Sequence, residues 1–417
     1  MKILFVSEYY PPKVMGGGEI NLQLLATALA RRGVEVFVLT SHHHGLKRVE
    51  KKEGVIIYRQ LKTGNNPTGI VENLKRSFAF PKSIVEEVQE IVLKQQIEAI
   101  HFIGTSIIAA PQLKKLAIPL FATIESYPTL CPKGDRIFHG KNECIRKCSF
   151  TEFLSCQRDS TEIGKMKNEW YLKYNAAGLA YIYHYYNQLN EALQYCDLIA
   201  ISKYVHDLLK QQGHESAIIP NILDLTEFKI SSIKYEAIIE KEKIKILYLG
   251  SLIHSKGVQV LLEAIKGLDV ECQLYGEGVM KEELHKKIQN ENLPATIFAP
   301  VSYNQIPSLY AQADIIVFPS LWPEPFGRIA IEAMAAGKPV IGSAIGGIKE
   351  IIIPGTGMVV EPGKVEHLRE AIKILQYDQK LRIEMGKKGR KIVEDLYSQE
   401  KVVEKLIKVY QERNNSF

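Results

Sequence analysis

No stretch of this 417-residue sequence is apolar over the length a bilayer span needs. The nearest, Ala176–Tyr186, is too short and carries His184. Cysteine is scarce, with six residues and no CxxC pair. That excludes a disulfide scaffold and suggests a reducing compartment. No arginine-rich tract or basic motif stands out, so a nucleic-acid partner is not expected. The apolar opening reaches Glu8 after a few residues, too short for a signal-peptide core. The expected location is cytoplasmic. The net charge of +6 leaves peripheral contact with the inner membrane face open.

What is present is a repeated rhythm. Lys2–Val6 and Lys245–Leu249 are both continuous apolar runs, as strands buried on two faces require. Each is followed by a glycine-bearing loop and an amphipathic stretch. In the first half a helix is expected over Glu19–Arg32, with strands at Val34–Thr40, Val55–Arg59, Ala99–Ile103, Pro119–Thr123, Leu198–Ser202 and Ala217–Pro220. In the second half strands are expected at Ile244–Leu249, Gln273–Tyr275, Thr296–Phe298, Ile315–Phe318, Val340–Gly342 and Met358–Val360. Length and alternation predict an α/β protein of two doubly wound, Rossmann-like domains facing across a cleft. The expected bounds are 1–221 for the first domain, with an insert at about 124–196, then a linker at 222–243. The second domain is expected at 244–395. A C-terminal helix over 396–417 is free to pack back on the first domain.

The densest chemistry lies in Trp322–Val340, WPEPFGRIAIEAMAAGKPV. It reads as a loop and helix between two buried strands, so the loop falls at the carboxyl edge of a parallel sheet. Glu324 and Glu332 stand eight residues apart there. A carboxylate can accept both hydroxyls of a ribose or a sugar. Helix-start acids favoured by the macrodipole are the plainer explanation, but Pro323 and Pro325 fix Glu324 in a rigid loop instead.

Three glycine loops open helices. Gly16-Gly17-Gly18-Glu19 follows the first strand, and its amides suit an anion. It is not a P-loop, because no Gly-Lys-Ser/Thr follows. The second strand ends Leu39-Thr40-Ser41-His42, without the acid a dinucleotide site needs. Gly250–Gly257 carries Lys256, a point charge suited to phosphate. Gly346-Gly347 precedes a third helix, where a tight turn alone would also explain it.

These residues carry a family resemblance. GSLIHSKG, LYGEG, YAQADIIVFPS, EPFGRIAIEAMAAGKPVI, GGIKEII and GTGMVVEPG occur in order, with AISKYV and IPN upstream. The chain resembles the retaining, nucleotide-sugar-dependent glycosyltransferases of family four, which have the GT-B fold. The resemblance implies that Glu332 binds the nucleotide ribose and that Glu324 contacts the donor sugar near the reacting carbon. Lys256, Gly17 and Gly18 would stabilise the departing diphosphate, with no divalent metal. Gly346 and Gly347 would shape the phosphate and sugar pocket, and Ser251, Phe326, Gly327 and Arg328 would belong to the same donor site. The donor would be a nucleotide-diphosphate sugar, most simply UDP- or GDP-linked. The acceptor would be a glycan or a lipid-linked sugar.

The chain departs from the family at three places. Ser251 stands where the family usually has Arg, and Arg328 is the candidate replacement; an exposed helix arginine is the alternative. Glu125, in Thr123-Ile124-Glu125-Ser126, stands where relatives often have His near the donor sugar. That implies an altered acceptor or donor pocket with Glu125 among its catalytic groups. Ile222 replaces a common Gly.

Cys131, Cys144, Cys148 and Cys156 are separated by twelve, three and seven residues. Four thiolates could make a structural zinc site. The spacing is not that of a standard finger, and free buried thiols are the alternative. Trp170, Tyr171, Tyr174, Tyr181, Tyr183, Tyr185 and Tyr186, with Lys165, Lys167 and Lys173, could form a face resting on a membrane. Core filling explains the aromatics equally well. Rival functions are a non-catalytic sugar-nucleotide-binding protein and a glycosidase or phosphorylase using the glutamate pair.

Overall fold

The computed structural model describes residues 1–63, 70–138, 142–144, 146–158, 175–228 and 243–414. The chain divides into two compact units. One holds the described residues of Met1–Ser160, Glu169–Ile222 and Gln399–Phe417, and the other holds those of Leu223–Ser398.

The first unit contains β1 (Lys2–Ser7), β2 (Glu35–Ser41), β3 (Val49–Lys52), β4 (Val55–Leu61), β5 (Ala99–Ile103) and β6 (Leu120–Ile124). A two-residue hairpin, β7 (Ile137–Phe138) and β8 (Asn142–Glu143), lies in the insert, followed by β9 (Asp197–Ala200) and β10 (Ser216–Ile218). Eight of these make one sheet in the order β10-β9-β6-β5-β1-β2-β4-β3. All pairs are parallel except β3 with β4. β1 is central, and Ile3, Leu4, Phe5 and Val6 are fully buried, which is why the run has no polar alternation. β3 is not among the expected strands. Its sequence, VEKK, has no apolar pattern because it is an exposed edge strand, and lysines there discourage pairing with other chains.

The helix after β1 spans Gly17–Arg31. It buries Leu22, Leu25, Ala26 and Leu29 in the unit's core. The last helix, Gln399–Asn414, adds Val402, Val403, Leu406 and Tyr410 to the same core. Its deepest anchor is polar. His101 on β5 is fully buried, with Nδ1 at 2.5 Å from the Tyr410 hydroxyl and Nε2 at 2.7 Å from the Thr123 hydroxyl. Burial pushes the imidazole down to about 3, so the folded state keeps it neutral.

The unfolded chain takes up a proton at His101 below about pH 6.5, and the folded chain does not until about pH 3. The contribution is therefore complete above pH 6.5 and is lost as pH falls toward 3, at up to about 1.4 kcal/mol per pH unit. Urea midpoints of wild type and His101→Asn measured over that window should show the shallower decline in the variant. Parallel declines would show that His101 is not a source of the acid sensitivity.

The second unit has one sheet in the order β13-β12-β11-β14-β15-β16. Its strands are β11 (Ile244–Leu249), β12 (Val270–Tyr275), β13 (Ala295–Phe298), β14 (Ile315–Phe318), β15 (Val340–Ser343) and β16 (Gly357–Val360). Every pair is parallel. β14, IIVF, and β11, apolar apart from Lys245, are neighbours at the centre. The loops leaving β11, β14 and β15 emerge side by side at one carboxyl edge, the customary ligand edge of such sheets.

Candidate active site

Two glycine contacts pin these loops together. Gly257 has φ +71°, and a Cβ there would overlap the Pro319 carbonyl. Gly346 has φ +58°, and a Cβ would strike the backbone nitrogen and oxygen of Glu324. Only glycine fits such positions without strain. The Gly347 amide donates to the Glu324 carbonyl at 2.7 Å, and the amides of Leu321 and Trp322 donate to the Ser255 carbonyl at 2.8 and 3.1 Å. Three loops thus become one rigid floor.

On that floor Lys256 and Glu324 meet. Lys256 Nζ lies 2.5 Å from Glu324 Oε1 and 4.3 Å above the Trp322 ring. The Ser320 hydroxyl donates to the same carboxylate oxygen at 3.0 Å. Glu324 is 7 % exposed, while the lysine side chain keeps 21 %. The buried Tyr248 hydroxyl donates to the Ser251 carbonyl at 2.8 Å, and burial followed by the Glu324 charge raises its pKa. Ser251 itself is exposed.

Glu332 sits in the first turns of the helix Arg328–Ala335 and is buried. Arg328 Nε donates to its Oε1 at 2.7 Å, and the Tyr310 hydroxyl donates to its Oε2 at 3.1 Å. Arg328 Nη2 reaches the Tyr303 hydroxyl at 2.7 Å. Arg328 is therefore not an exposed helix arginine. Its guanidinium is engaged by Glu332 and Tyr303. Phe326 is buried, with its ring edge-on to Tyr397 at 5.8 Å, and a Cβ added at Gly327 would meet Ile348 and Ile351.

In the first unit Gly17 and Gly18 open their helix. Two amides just before them are already used, because the Glu19 carboxylate accepts from Gly16 N at 2.9 Å and Met15 N at 3.4 Å. Burial raises the pKa of Glu19 against the pull of those bonds. Glu125, at the carboxyl end of β6, packs on Gly18 so closely that a Cβ would overlap its oxygen. Asn21 Nδ2 donates to Glu125 at 3.1 Å, and Asn21 Oδ1 accepts from the Ile222 amide at 2.9 Å. Nothing in the sequence signals this run of bonds, nor the roles of Tyr303, Tyr310 and Ser320, since none shares a motif with the residue it holds.

The four insert cysteines line one cavity of about 20 Å³ with Lys133 and Arg136. Lys133 Nζ lies 3.3 Å from Cys156 Sγ. Burial, helped by the neighbouring thiols and Glu152, pushes Cys148 up to about 12. Among the described residues no group of three or more His, Cys, Asp or Glu side chains is arranged to hold a metal ion. The zinc reading gains no geometric support. Tyr183 and Tyr186 pack inward, with the Tyr183 ring 5.9 Å from Phe153 and its hydroxyl on the Cys148 carbonyl at 3.0 Å. Trp170, Tyr171, Tyr174, Lys165, Lys167 and Lys173 lie outside the described residues. Among the described residues no helix is long and apolar enough to cross a membrane.

The chain is 33 % identical to an uncharacterised glycosyltransferase of Methanocaldococcus jannaschii over 40 % of its own length and 47 % of that protein. A second uncharacterised glycosyltransferase of that organism is 25 % identical over 98 % of both chains. In fold it is similar to sucrose-phosphate synthase from Thermosynechococcus elongatus, with a TM-score of 0.77, 22 % identity and full coverage of both chains. It is also similar to HepE of Anabaena in complex with UDP-glucose, with a TM-score of 0.69 and 19 % identity over 99 % and 100 % of the two chains. At such identities the likeness is one of fold, that of the GT-B proteins. The family described as "Glycosyl transferases group 1" matches residues 230–392, and "Glycosyltransferase Family 4" matches residues 15–227, more than half of the chain. Both motif sets and both domain matches agree, and the chain belongs to the glycosyltransferases of family four.

Proposed function

We propose that the chain is a retaining, metal-independent transferase that takes a sugar from a UDP- or GDP-linked donor to a glycan or lipid-linked acceptor in polysaccharide synthesis. The observation that carries this reading is the Lys256–Glu324 pair on the carboxyl edge of β11 and β14. An ammonium beside a carboxylate suits a reaction in which a diphosphate leaves as an oxocarbenium-like sugar develops. Lys256 stabilises the departing phosphate as a point charge, with helix-end amides at Gly17 and Gly18 as further donors. Glu324 contacts the donor sugar beside the reacting carbon. Glu332 accepts the ribose hydroxyls. Gly346 and Gly347 let the loop backbone approach the sugar and phosphates. Glu125, held by Asn21, acts as a catalytic carboxylate of the first unit. With positive charge supplied by the chain, a divalent metal is not required.

HepE is a fold neighbour solved with UDP-glucose, which supports a nucleotide sugar as donor. The glycosidase rival needs both carboxylates to flank one glycosidic bond, with a protonated acid as one of the two. The bond of Glu324 to Lys256 and of Glu332 to Arg328 favours anion handling instead.

The test is a thermal-shift screen of the full chain with UDP, GDP, ADP and their sugar conjugates, with magnesium or with EDTA. One nucleotide class should stabilise the protein by about 2.7 kcal/mol at a hundred times Kd, unchanged by EDTA. Transfer to an acceptor, or donor hydrolysis, should follow with that donor. Binding without either reaction would favour the non-catalytic reading. Absence of any shift would overturn the donor assignment.

A further inference from the structure

We propose that Cys156, in the insert between β6 and β9, is a modification site. A small hydroperoxide oxidises its thiol to a sulfenic acid, which then closes a disulfide with another thiol of the same cavity. The inference is independent of the transfer reaction and of its donor.

Two buried cations carry it. The Lys133 side chain is 2 % exposed, and its ammonium is held by the Ile137 carbonyl at 2.9 Å, by Asp135 at 3.2 Å and by Cys156 Sγ at 3.3 Å. Burial works against that charge, but Asp135 and then Cys156 outweigh it and hold the lysine above its ordinary value. Arg136 is 1 % exposed. Its Nη1 donates to the Leu130 and Arg146 carbonyls at 3.1 and 3.2 Å, while Nε and Nη2 are buried with no hydrogen-bond partner among the described residues. A buried guanidinium with unused donors is costly unless negative charge stands near it. Among the described residues Arg146 and Lys147 line the same cavity with these two, against one carboxylate, Glu152. That carboxylate is taken by the Ser149 amide and hydroxyl, each at 2.9 Å. A thiolate is the remaining anion the cavity wall can supply.

Cys156 is the cysteine in contact with the ammonium. It also lies 3.4 Å from the Ile137 carbonyl, to which the neutral thiol donates. Loss of that proton leaves the Lys133 bond, now charge-assisted. A cation in contact favours the thiolate, the form that attacks peroxides. Cys131 and Cys148 differ, because burial raises both, Cys148 to about 12, and keeps them as thiols beside it. The cavity, at about 20 Å³, has room for a molecule of about the size of water. Hydrogen peroxide is of that order, and bulky thiol reagents are not. In the first step the Cys156 sulfur attacks one peroxide oxygen and the O–O bond breaks. Sulfur loses two electrons, the peroxide gains them, and the leaving hydroxide takes up the thiol's proton as water. In the second step a neighbouring thiol displaces the sulfenic oxygen, an S–S bond forms and a second water leaves.

The test treats the reduced full chain with hydrogen peroxide, blocks the remaining free thiols after denaturation and maps all six cysteines by mass spectrometry. Cys196 is the internal control, since it is half-buried and Cys156 is buried. Cys156 should nevertheless leave the free-thiol pool roughly tenfold or more faster than Cys196. It should then appear in a disulfide with Cys131, Cys144 or Cys148. Lys133→Met should slow the loss of Cys156 by about tenfold, and Lys133→Arg should restore most of the rate. Oxidation of Cys156 no faster than Cys196, disulfides that leave Cys156 out, or an unchanged rate in Lys133→Met would overturn the proposal. If Lys133→Met does not fold, Cys156→Ser decides. The other three cavity thiols should stay reduced in it, and their oxidation at the wild-type rate would show that Cys156 is not the point of entry. Zinc bound in equimolar amount to the purified protein and protecting these cysteines from peroxide would also overturn the proposal, because metal-bound thiolates would then balance the cations.

Discussion

Lys256→Ala should lower kcat by roughly two to three orders of magnitude, the usual result of removing one electrostatic stabiliser of a developing charge. KM for the donor should change much less, because the charge is largest in the transition state. Glu324→Gln should show a loss of similar size, since the amide keeps the shape of the side chain and removes its charge. The fold should survive both. The Lys256 side chain is partly exposed, and Glu324 keeps its bond from Ser320 when the lysine is gone. Lys256→Ala alone still leaves a buried carboxylate without its ammonium, at a cost of about 1–3 kcal/mol in stability. The double variant Lys256→Ala/Glu324→Gln should therefore melt higher than Lys256→Ala while being no more active. The two residues touch, so their effects should not add. Near-normal turnover in both single variants would remove the pair from the mechanism.

Gly346→Ala is expected to harm the second unit and its Glu324 loop together. Its φ of +58° costs an L-residue about 1 kcal/mol or more. The new methyl group would also meet the Glu324 backbone and the Pro323 carbonyl carbon. Overpacking against main chain adds about 1–3 kcal/mol. A total loss of about 3 kcal/mol is expected, together with weakened donor binding because the Glu324 loop must move. Gly337→Ala is the control. It has a similar φ of +68°, but nothing lies within 4 Å of the added carbon. It should lose only the conformational part and keep donor affinity. Denaturant melts that fall equally for the two variants would show that close approach at Gly346 is not what holds the loop.

Much of the site is legible in the amino-acid order. Ile244–Leu249 and Ile315–Phe318 are strands with the expected ends. A strand buried on both faces leaves a continuous apolar run bounded by turn residues. The glycine loops and the EPFGR stretch follow such strands directly, so their place at a carboxyl edge is legible too. The i, i+4 spacing of Arg328 and Glu332 is equally plain. Their burial is not, because it depends on Tyr303 and Tyr310 arriving from other segments. Read from its own segment, Arg328 stands open to phosphate or solvent; folding places it against Glu332 and Tyr303.

The sequence by itself determined the α/β class, the two repeated halves, and the carboxylates, lysine and glycines gathered at one sheet edge. These follow from local periodicity, chain order and the limits on where a glycine or a proline can sit. Tertiary structure alone decided which partners those groups have. Lys256 meets Glu324 across 68 residues, Glu125 meets Asn21 across 104, and His101 meets Tyr410 across 309. A hydrogen bond needs two atoms within about 3 Å, and no local pattern in a chain records which distant side chain folding will bring that close.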